Sequence, residues 1–269
     1  SHAASFALLV YVSAWLKFYY PAAFTAGLLN SQPMGFYSPS SLTGEARRQG
    51  VEIRSPCVLH SDWDCSLEAN GCHDPSLGGS QGQTAKGVAL RLGLRQIKGL
   101  KKSTARRLIE LRGKEGWREL HELSKKARIP KSDLRVLAKA DAFSSMGWTR
   151  RQALWRIEGL WSGDLLESIP PPEDSTHLAK ASPQESLQLD FRHIGLSLNN
   201  HPIGLCRDWL QEQRAYAIRD LHGLSNGQTV KVAGLVTHRQ RPQTASGVIF
   251  LGMEDETGIT NVVVWPSVY

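Results

Sequence analysis

The stretch QIKGLKKSTARRLIELR, residues 96–112, combines a glycine turn, an apolar helical period and dense positive charge. Gly99 allows a sharp chain reversal between helices, which leaves the first N–H groups of the second helix pointing outward. The helix dipole favours an anion at that place. The cations around this turn are Lys98, Lys101, Lys102 and Arg106. The stretch therefore predicts a helical hairpin that holds a phosphate backbone.

The apolar residues of the same stretch indicate how the hairpin packs. Ile97, Leu100, Leu108 and Leu111 are expected in the interior, and Ala105 is small enough for two helices to approach closely. The residues that we expect to contact DNA here are Lys98, Gly99, Leu100, Lys101, Lys102 and Arg106. Such contacts are independent of base sequence and strongly dependent on salt. On charge alone, a solvated basic helix is the alternative.

Positive charge is concentrated in one part of the chain. Between Arg91 and Arg156 there are 19 Lys and Arg against 6 Asp and Glu, in a chain of net charge +7 and pI near 9.3. A basic surface suits a polyanion, either nucleic acid or an acidic membrane, and the clustering favours nucleic acid. With 269 residues, 41% of them hydrophobic, two or three modest domains are expected.

The N-terminal segment is apolar from Phe6 to Leu16 but is ended by Lys17 and Pro21. This run is too short to span a bilayer, so a buried helix is predicted, followed by a second helix over 22–29. No basic residues precede the run, as a signal peptide would require, and a cytoplasmic location is expected. The absence of an initiator Met predicts a start inside a longer protein.

Further along, Ser40 or Ser41 is expected to cap a helix that ends at Gly50, with a short strand over 51–53. Residues 66–86 are rich in glycine and residues 169–174 contain three prolines, which predicts linkers. The basic block between them is expected to be helical, including 133–143 and 149–157. Two more helices are expected near 187–197 and 202–214.

The last part of the chain changes character. Alternating apolar residues predict strands over 230–236, 248–253 and 259–265, separated by polar turns. The simplest arrangement is an antiparallel meander of three strands. The fold class is therefore mainly α with a C-terminal all-β part.

Several cysteines and histidines suggest a metal site, but their spacing does not support one. The residues concerned are Cys57, His60, Cys65, Cys72 and His73. They lack the paired Cys-x-x-Cys knuckles of structural zinc sites, so reduced thiols are favoured and no metal ligands are assigned. Cys206 has no evident partner.

Several motifs together resemble one protein family. The runs 15–17, 20–24 and 28–37 resemble the fingers region of bacterial C-family DNA polymerases. NSQPMGFY at 30–37 together with SDWDC at 61–65 is similar to the error-prone, damage-inducible branch. LGLRQIKG at 92–99 resembles the helix-hairpin-helix entry of the family, with Lys101 in place of the motif's usual second glycine.

The likeness continues to the end of the chain. ADAF at 140–143 and MGWTRRQALW at 146–155 are similar to a second helical signature, and Asp141 stands where the replicative branch has Gly. HIGLSL at 193–198 and His201-Pro202 match the approach to the last domain. From Gly227 the chain resembles an OB-fold, whose barrel needs five strands, while three fit before Tyr269. A chain that ends inside that domain is expected.

This resemblance implies a domain order. It consists of the end of the polymerase fingers at 1–75, a linker at 76–87, a helix-hairpin-helix DNA-binding block at 88–165, a linker with helices at 166–226, and a partial OB-fold at 227–269. The resemblance implies part of an error-prone DNA-directed DNA polymerase in lesion bypass, with this piece gripping primer–template DNA. The alternative is a non-catalytic DNA-binding module, which would have no use for the fingers-like first 65 residues.

The resemblance also implies that the catalytic residues of the polymerase lie outside this chain. The Mg²⁺-binding palm carboxylates of the family are upstream of the matched region, so no catalytic residue, metal ligand or cofactor is expected in this piece, which should be inactive alone. Asp62 and Asp64 are the nearest carboxylates, and a polar turn is the favoured interpretation of both. Mg²⁺ is expected for the parent enzyme.

Further DNA contacts are expected from the arginines of the other motifs, which are Arg150, Arg151, Arg239 and Arg241. Phe250 and Trp265 either stack on bases or fill the barrel, and packing is favoured. The expected partners are duplex DNA, single-stranded template, the sliding clamp and damage-inducible accessory proteins, with no membrane. QESLQ at 184–188 resembles a clamp-binding peptide but lacks its terminal aromatic residue, and we assign no clamp site.

Overall fold

The computed structural model describes residues 2–35, 37–69, 87–112, 117, 120–160 and 178–269. The chain forms two compact units. The first contains Ser1–Ala181 and Gln188–Leu198, and the second contains Ser182–Leu187 and Asn199–Tyr269. Residues 76–86 of the linker expected at 76–87 lie outside the described residues, as do Cys72, His73 and the proline-rich run at 169–174.

Helices dominate the first unit. They are α1 (His2–Tyr19), α2 (Pro21–Asn30), α3 (Pro39–Arg48), α4 (Lys102–Leu111), α5 (Leu120–Lys125), α6 (Lys131–Lys139) and α7 (Arg150–Glu158). α8 (Pro183–His193) has its C-terminal part in this unit. The helices begin where local chemistry predicts: Pro21 occupies the first turn of α2, and Thr149 and Gln152 form a capping box at α7.

Two details of the N-terminal helices differ from expectation. α1 contains no buried residue, and side chains such as Phe6, Leu9 and Tyr11 are exposed, so the prediction of a buried helix is wrong. An apolar sequence predicts that a helix is buried, but it does not specify which segment buries it. α3 is capped by Ser38, whose Oγ accepts a hydrogen bond from the Ser41 N–H at 3.1 Å, rather than by Ser40 or Ser41.

None of the described helices is by itself long and apolar enough to cross a membrane. α1 and α2 reach the length and apolar character of a span only when they are taken together, with a bend of 119° between them.

A small sheet joins residues from both sides of the expected linker. It consists of β1 (Ile53–Arg54), β2 (Ser66–Ala69) and β3 (Val88–Arg91), in the order β1-β3-β2. β3 runs parallel to β1 and antiparallel to β2. Residues 66–69 are therefore a strand rather than linker, and 88–91 a strand rather than the start of the helical block. Because strand pairing is a non-local contact, residue patterns alone do not reveal it.

The core of the first unit combines this sheet with the helical block. Ala89 and Leu90 of β3 are completely buried, as are Leu108 of α4, Leu134 and Leu137 of α6, and Ile157 of α7. Ile97, Leu100 and Ala105 are buried as expected, but Leu111 is 51% exposed because α4 ends there. The hairpin is thus part of a larger core.

The second unit is mainly β. It contains α9 (Arg207–Glu212), a parallel pair of short strands β4 (Ala215–Tyr216) and β5 (Lys231–Val232), and three longer strands. These are β6 (Leu235–Gln240), β7 (Ile249–Glu254) and β8 (Ile259–Val264), which form an antiparallel meander. The meander confirms the C-terminal all-β part. The first expected strand, 230–236, is divided between β5 and β6, and the closed OB barrel stays a prediction.

Candidate nucleic-acid interface

The turn around Gly99 reverses the chain before α4. A 3-10 turn at Leu94–Gln96 leads into it, and Gly99 has φ +86°, in the left-handed region that glycine tolerates best. A Cβ at this position would meet no heavy atom within 4 Å, so the backbone conformation, rather than space, requires glycine. Buried Ile97 and Leu100 anchor the turn on either side.

Lys101 occupies the N-cap position of α4 with φ −75° and ψ 136°, which is ordinary extended backbone. The lysine in place of the motif's second glycine therefore causes no backbone strain. Its side chain does not cap the helix. Within the described part of the chain, the first N–H groups of α4 therefore lack a side-chain cap, and the helix dipole makes an anion the favoured acceptor for them.

Three cations surround this helix start. Lys101, Lys102 and Arg106 are exposed, and none has an ion-pair partner among the described residues. Lys102 Nζ lies 5.6 Å from the centroid of the Trp63 ring, a cation–π distance that leaves ammonium protons available to an acceptor. These three side chains provide uncompensated positive charge.

Neighbouring arginines are engaged in the fold instead. Arg95 donates to Asp64 Oδ1 at 2.8 Å, and Arg112 donates to Asp62 Oδ1 at 3.3 Å. Arg91 binds Glu68 at 2.7 Å across β2 and β3. The high positive charge of the segment is therefore only partly available at its surface.

Lys98 also has internal partners. Its main-chain N–H donates to the His193 carbonyl at 2.8 Å, and its Nζ donates to the Phe191 carbonyl at 3.1 Å. Both acceptors are at the C-terminal end of α8. Lys98 is exposed, as expected for a DNA contact, but its ammonium group is bound to the protein's own backbone.

The two arginines at the start of α7 also bind protein groups. Arg150 has a side chain only 10% exposed, forms an ion pair with the buried Asp190 and lies 3.8 Å from Asp141. Burial raises the pKa of Asp141, and the Arg150 charge partly opposes that rise. Arg151 Nη1 donates to the Ala179 carbonyl at 2.9 Å. Arg150 is thus buried against two carboxylates, and its expected contact with DNA stays a prediction.

A buried polar pair supports the hairpin from behind. Thr104 Oγ1 of α4 donates to Asp133 Oδ2 of α6 at 2.5 Å, and both side chains are buried. Ala105, next to Thr104, is fully buried, which allows the close helix approach expected from its size. These contacts fix α4 against α6, so that the opposite face of α4 is the exposed one.

The second unit carries the other two expected contacts. Arg239 in β6 and Arg241 just after it are exposed, and the Arg239 guanidinium lies 5.7 Å from the Tyr269 ring centroid. Phe250 is 37% exposed and Trp265 is 60% exposed, so the expectation that both fill a core is wrong. Within the described residues, no further strand covers that part of the meander.

The candidate metal residues have other roles. Asp62 and Asp64 lie in the bend at Ser61–Cys65, each with an arginine partner, as a polar turn predicts. Cys57 and Cys65 are buried free thiols, and burial raises the pKa of Cys65, which disfavours the thiolate that a metal needs. Within the described ranges, no group of three His, Cys, Asp or Glu residues could hold a metal ion.

The clamp-like segment at 184–188 is helical. It lies in the first turns of α8, and Leu187 is buried. A linear peptide motif would have to present that leucine to a partner's pocket. Binding to the sliding clamp and to accessory proteins stays a prediction, and no residues are assigned to it.

Sequence reasoning missed the residues that hold the hairpin in place. Trp63 lies under Lys102, while Asp190 and the end of α8 hold Arg150 and Lys98. These partners are 39, 40 and 93 residues apart in the chain. No local pattern signals a contact over such separations.

The sequence around the Gly99 turn is similar to a known DNA-binding motif. A model of the helix-hairpin-helix motif matches residues 50–153. This range includes the β1-β2-β3 sheet as well as α4, α6 and the start of α7, so the motif and the sheet are matched as one region.

The whole chain is also similar to longer curated proteins. It is 46% identical over 274 aligned positions to an error-prone DNA polymerase of Alkalilimnicola ehrlichii, with 99% of this chain and 25% of that protein covered. It is 44% identical to the same kind of protein from Anaeromyxobacter sp. strain K, covering all of this chain and 23% of the relative. It is 43% identical to an error-prone DNA polymerase of Dechloromonas aromatica, with 99% of this chain and 24% of that protein covered.

The chain spans about a quarter of the length of these relatives. The matches confirm the resemblance that the sequence motifs carry, including the preference for the error-prone branch. Over nearly its whole length, this chain is therefore similar to one segment of the error-prone DNA polymerases, and its residues 50–153 match the helix-hairpin-helix motif.

Proposed function

We propose that this chain is part of an error-prone DNA-directed DNA polymerase, a nucleotidyltransferase that works in lesion bypass, and that this part grips primer–template DNA. The proposal rests on a group of three cations, Lys101, Lys102 and Arg106, which are exposed at the start of α4 and have no ion-pair partner among the residues that the structure describes. The similarity to error-prone polymerases supports the wider assignment.

The grip follows from the chemistry of this surface. The N-terminal N–H groups of α4 donate to phosphate oxygens, and the helix dipole adds a favourable field. Lys101, Lys102 and Arg106 neutralise neighbouring phosphates and release counterions. None of these contacts reads a base edge, so the binding is independent of sequence, which suits a polymerase that moves along its template.

We assign the chemical step to the remainder of the longer protein. Mg²⁺ is expected for the parent enzyme, but Asp62 and Asp64 do not fit a pair of metal ligands because each already binds an arginine. The isolated chain is expected to show no primer extension with Mg²⁺ and nucleotides. Measurable extension would contradict this assignment. We expect the parent protein in the cytoplasm, together with the chromosomal DNA it copies.

Charge reversal of the surface lysines tests the grip. Lys101→Glu and Lys102→Glu are each expected to weaken binding to duplexes of different sequence to the same extent. Each lost phosphate contact should make the slope of log K against log salt less negative by about 0.9. Fluorescence anisotropy over a salt series measures both quantities.

Lys126→Glu is the matched control for this experiment. Lys126 is an exposed lysine of the same basic block, but its ammonium binds Glu122 at 2.6 Å. The control changes the net charge by the same amount and should change the slope much less. Equal slopes for Lys101→Glu and Lys126→Glu would rule out the α4 surface as the binding site.

The second unit supports a separate contact with single-stranded template. The exposed rings of Phe250 and Trp265 and the exposed Arg239 and Arg241 are a combination that binds single strands through base stacking and charge. We propose this role for the meander. It adds no sequence specificity, because every base has a stacking face.

Removal of one aromatic ring tests this role. Trp265→Ala is expected to weaken single-strand binding by about 1–3 kcal/mol, the usual value of one stacked base, without weakening duplex binding. Trp209→Ala is the control, since Trp209 of α9 has the same 60% exposure as Trp265. Titration of a fluorescent oligonucleotide should separate the two variants. A similar loss in both would show that exposed tryptophan, rather than the meander, is responsible.

A further inference from the structure

The lysines around the Gly99 turn fall into two groups with different surroundings. Lys101 and Lys102 are exposed and have no ion-pair or carbonyl partner among the described residues. Lys98 is also exposed, but both its main-chain N–H and its ammonium donate to carbonyls of α8. The difference suggests that Lys98 has another task.

The acceptors of Lys98 belong to a helix C-terminus. The last carbonyls of a helix have no partner within the helix and carry the negative end of its dipole. The Phe191 and His193 carbonyls are such groups at the end of α8, and Lys98 satisfies both, at 3.1 and 2.8 Å. A cation at this place is stabilised by the negative end of the helix dipole. That end partly compensates the positive charge, which weakens its attraction for an external phosphate.

The end of α8 is itself firmly held. The N–H groups of Ile194 and Gly195 both donate to the Asp190 carbonyl, at 2.8 and 3.1 Å, and Gly195 has φ +88°. Ser197 Oγ donates to the Asp190 carboxylate at 2.6 Å, and Arg150 pairs with the same carboxylate. The cap therefore has a fixed geometry that is independent of Lys98.

The cap is also attached to the core and fits closely against Lys98. Ile194 and Leu196 are buried in the hydrophobic core of the first unit. A Cβ at Gly195 would lie 3.4 Å from Cε and Nζ of Lys98, so the lysine stem packs directly over this glycine. Lys98 thus connects the turn that precedes α4 to a rigid part of the molecule.

We propose that Lys98 is a positioning residue that holds the Gly99 turn against the C-terminal cap of α8, and that phosphate neutralisation falls to Lys101, Lys102 and Arg106. This inference rests on the proposed DNA grip. It predicts that two lysines three positions apart affect DNA binding in different ways, although both are exposed and both carry one positive charge.

Lys98→Met and Lys101→Met form a matched pair for the test in the full chain. Lys101→Met should make the slope of log K against log salt less negative by about 0.9, because a phosphate contact is lost. Lys98→Met should leave the slope unchanged and weaken binding by the same factor at every salt concentration. An equal loss of slope in both variants would overturn the proposal.

Hydrogen exchange without DNA provides a readout of positioning alone. Lys98→Met should speed amide exchange at 97–100, whereas 194–196 should stay protected because Asp190 and Ser197 hold the cap. Lys101→Met should not speed exchange at 97–100. Lys98→Arg should restore protection there because its guanidinium can still donate to the carbonyls. Unchanged exchange in Lys98→Met would also overturn the proposal. If the unmodified chain bound DNA without salt dependence, the proposed grip would fail, and exchange would still decide the role of Lys98.

Discussion

Replacement of Gly93 by alanine is expected to destabilise the first unit by about 3 kcal/mol or more, the upper range for forcing extra atoms into a packed site. A Cβ at this position would lie 2.4 Å from both the Asp64 carbonyl carbon and the Trp63 carbonyl oxygen. Both are backbone atoms, which cannot turn away as a side chain can. The bend at Ser61–Cys65 would have to move as a whole.

The surrounding contacts explain why this movement is costly. Leu94 N–H donates to the Asp62 carbonyl at 2.8 Å and Arg95 N–H donates to the Trp63 carbonyl at 3.0 Å. Displacement of the bend would stretch both bonds and the Arg95–Asp64 ion pair. It would also move Trp63 away from Lys102, so DNA binding should fall together with stability.

Gly27→Ala is the control for this prediction. Gly27 is an exposed residue inside α2, and a Cβ there would meet no heavy atom within 4 Å. Alanine is favoured over glycine in a helix by roughly 0.5–1 kcal/mol, so this variant should be neutral or slightly more stable. Chemical unfolding followed by circular dichroism measures both variants. Equal stabilities would show that the close packing at Gly93 is not needed for the fold.

Asp255→Ala should produce a comparable loss in the second unit, about 3–5 kcal/mol, as for one partner removed from a buried ion pair. The Asp255 side chain is 0% exposed and pairs with Arg207 at 2.9 Å. Its carboxylate also accepts bonds from the Ile218 N–H at 2.8 Å, the Thr257 N–H at 2.8 Å and the Gly258 N–H at 3.0 Å. Alanine would leave these three backbone donors without their acceptor, and Arg207 would keep only its pairing with Glu256 at 2.5 Å.

The same carboxylate makes stability depend on pH. Burial on its own would raise the pKa of Asp255, but hydrogen bonds from Thr257, Ile218 and Gly258 outweigh burial and lower it. A lowered folded-state pKa contributes stability above the unfolded value, near 3.9 for aspartate, and this stability is lost as pH falls through the folded value. Stability of the second unit should therefore decline below about pH 4.

Asp255→Asn should make this decline shallower because its side chain does not titrate. Asp208→Asn, at an exposed position of α9, should keep the pH dependence of the unmodified chain. Unfolding free energies between pH 7 and pH 3 separate the two variants. An unchanged pH dependence in Asp255→Asn would assign the effect to other carboxylates.

Features that depend on neighbouring residues were predictable. The turn at Gly99, the start of α7 at Thr149 and the meander of β6, β7 and β8 all follow from local propensity and from short hydrophobic periods. The error-prone branch was also identifiable, because long motifs such as NSQPMGFY carry enough information by themselves.

Features that depend on residues far away in the chain were not predictable from the sequence. The apolar run of α1 is exposed, and Phe250 and Trp265 lie on the surface rather than in a core. Strands β2 and β3 fall where glycine content and charge predict linker and helix. In each case the outcome depends on which other segment covers or pairs with the residues, and a hydrophobic pattern does not specify that segment.

The sequence by itself determined that a glycine turn, a following helix and a cluster of cations occur together, and it identified the related polymerases. Only the tertiary structure decided which of these cations are engaged by other groups and which are exposed. Arg91, Arg95, Arg112 and Arg150 bind carboxylates and Lys98 binds backbone carbonyls, whereas Lys101, Lys102 and Arg106 are left at the surface. The physical reason is that a charge is neutralised by what lies within a few ångströms of it, and folding brings those partners from distant parts of the chain.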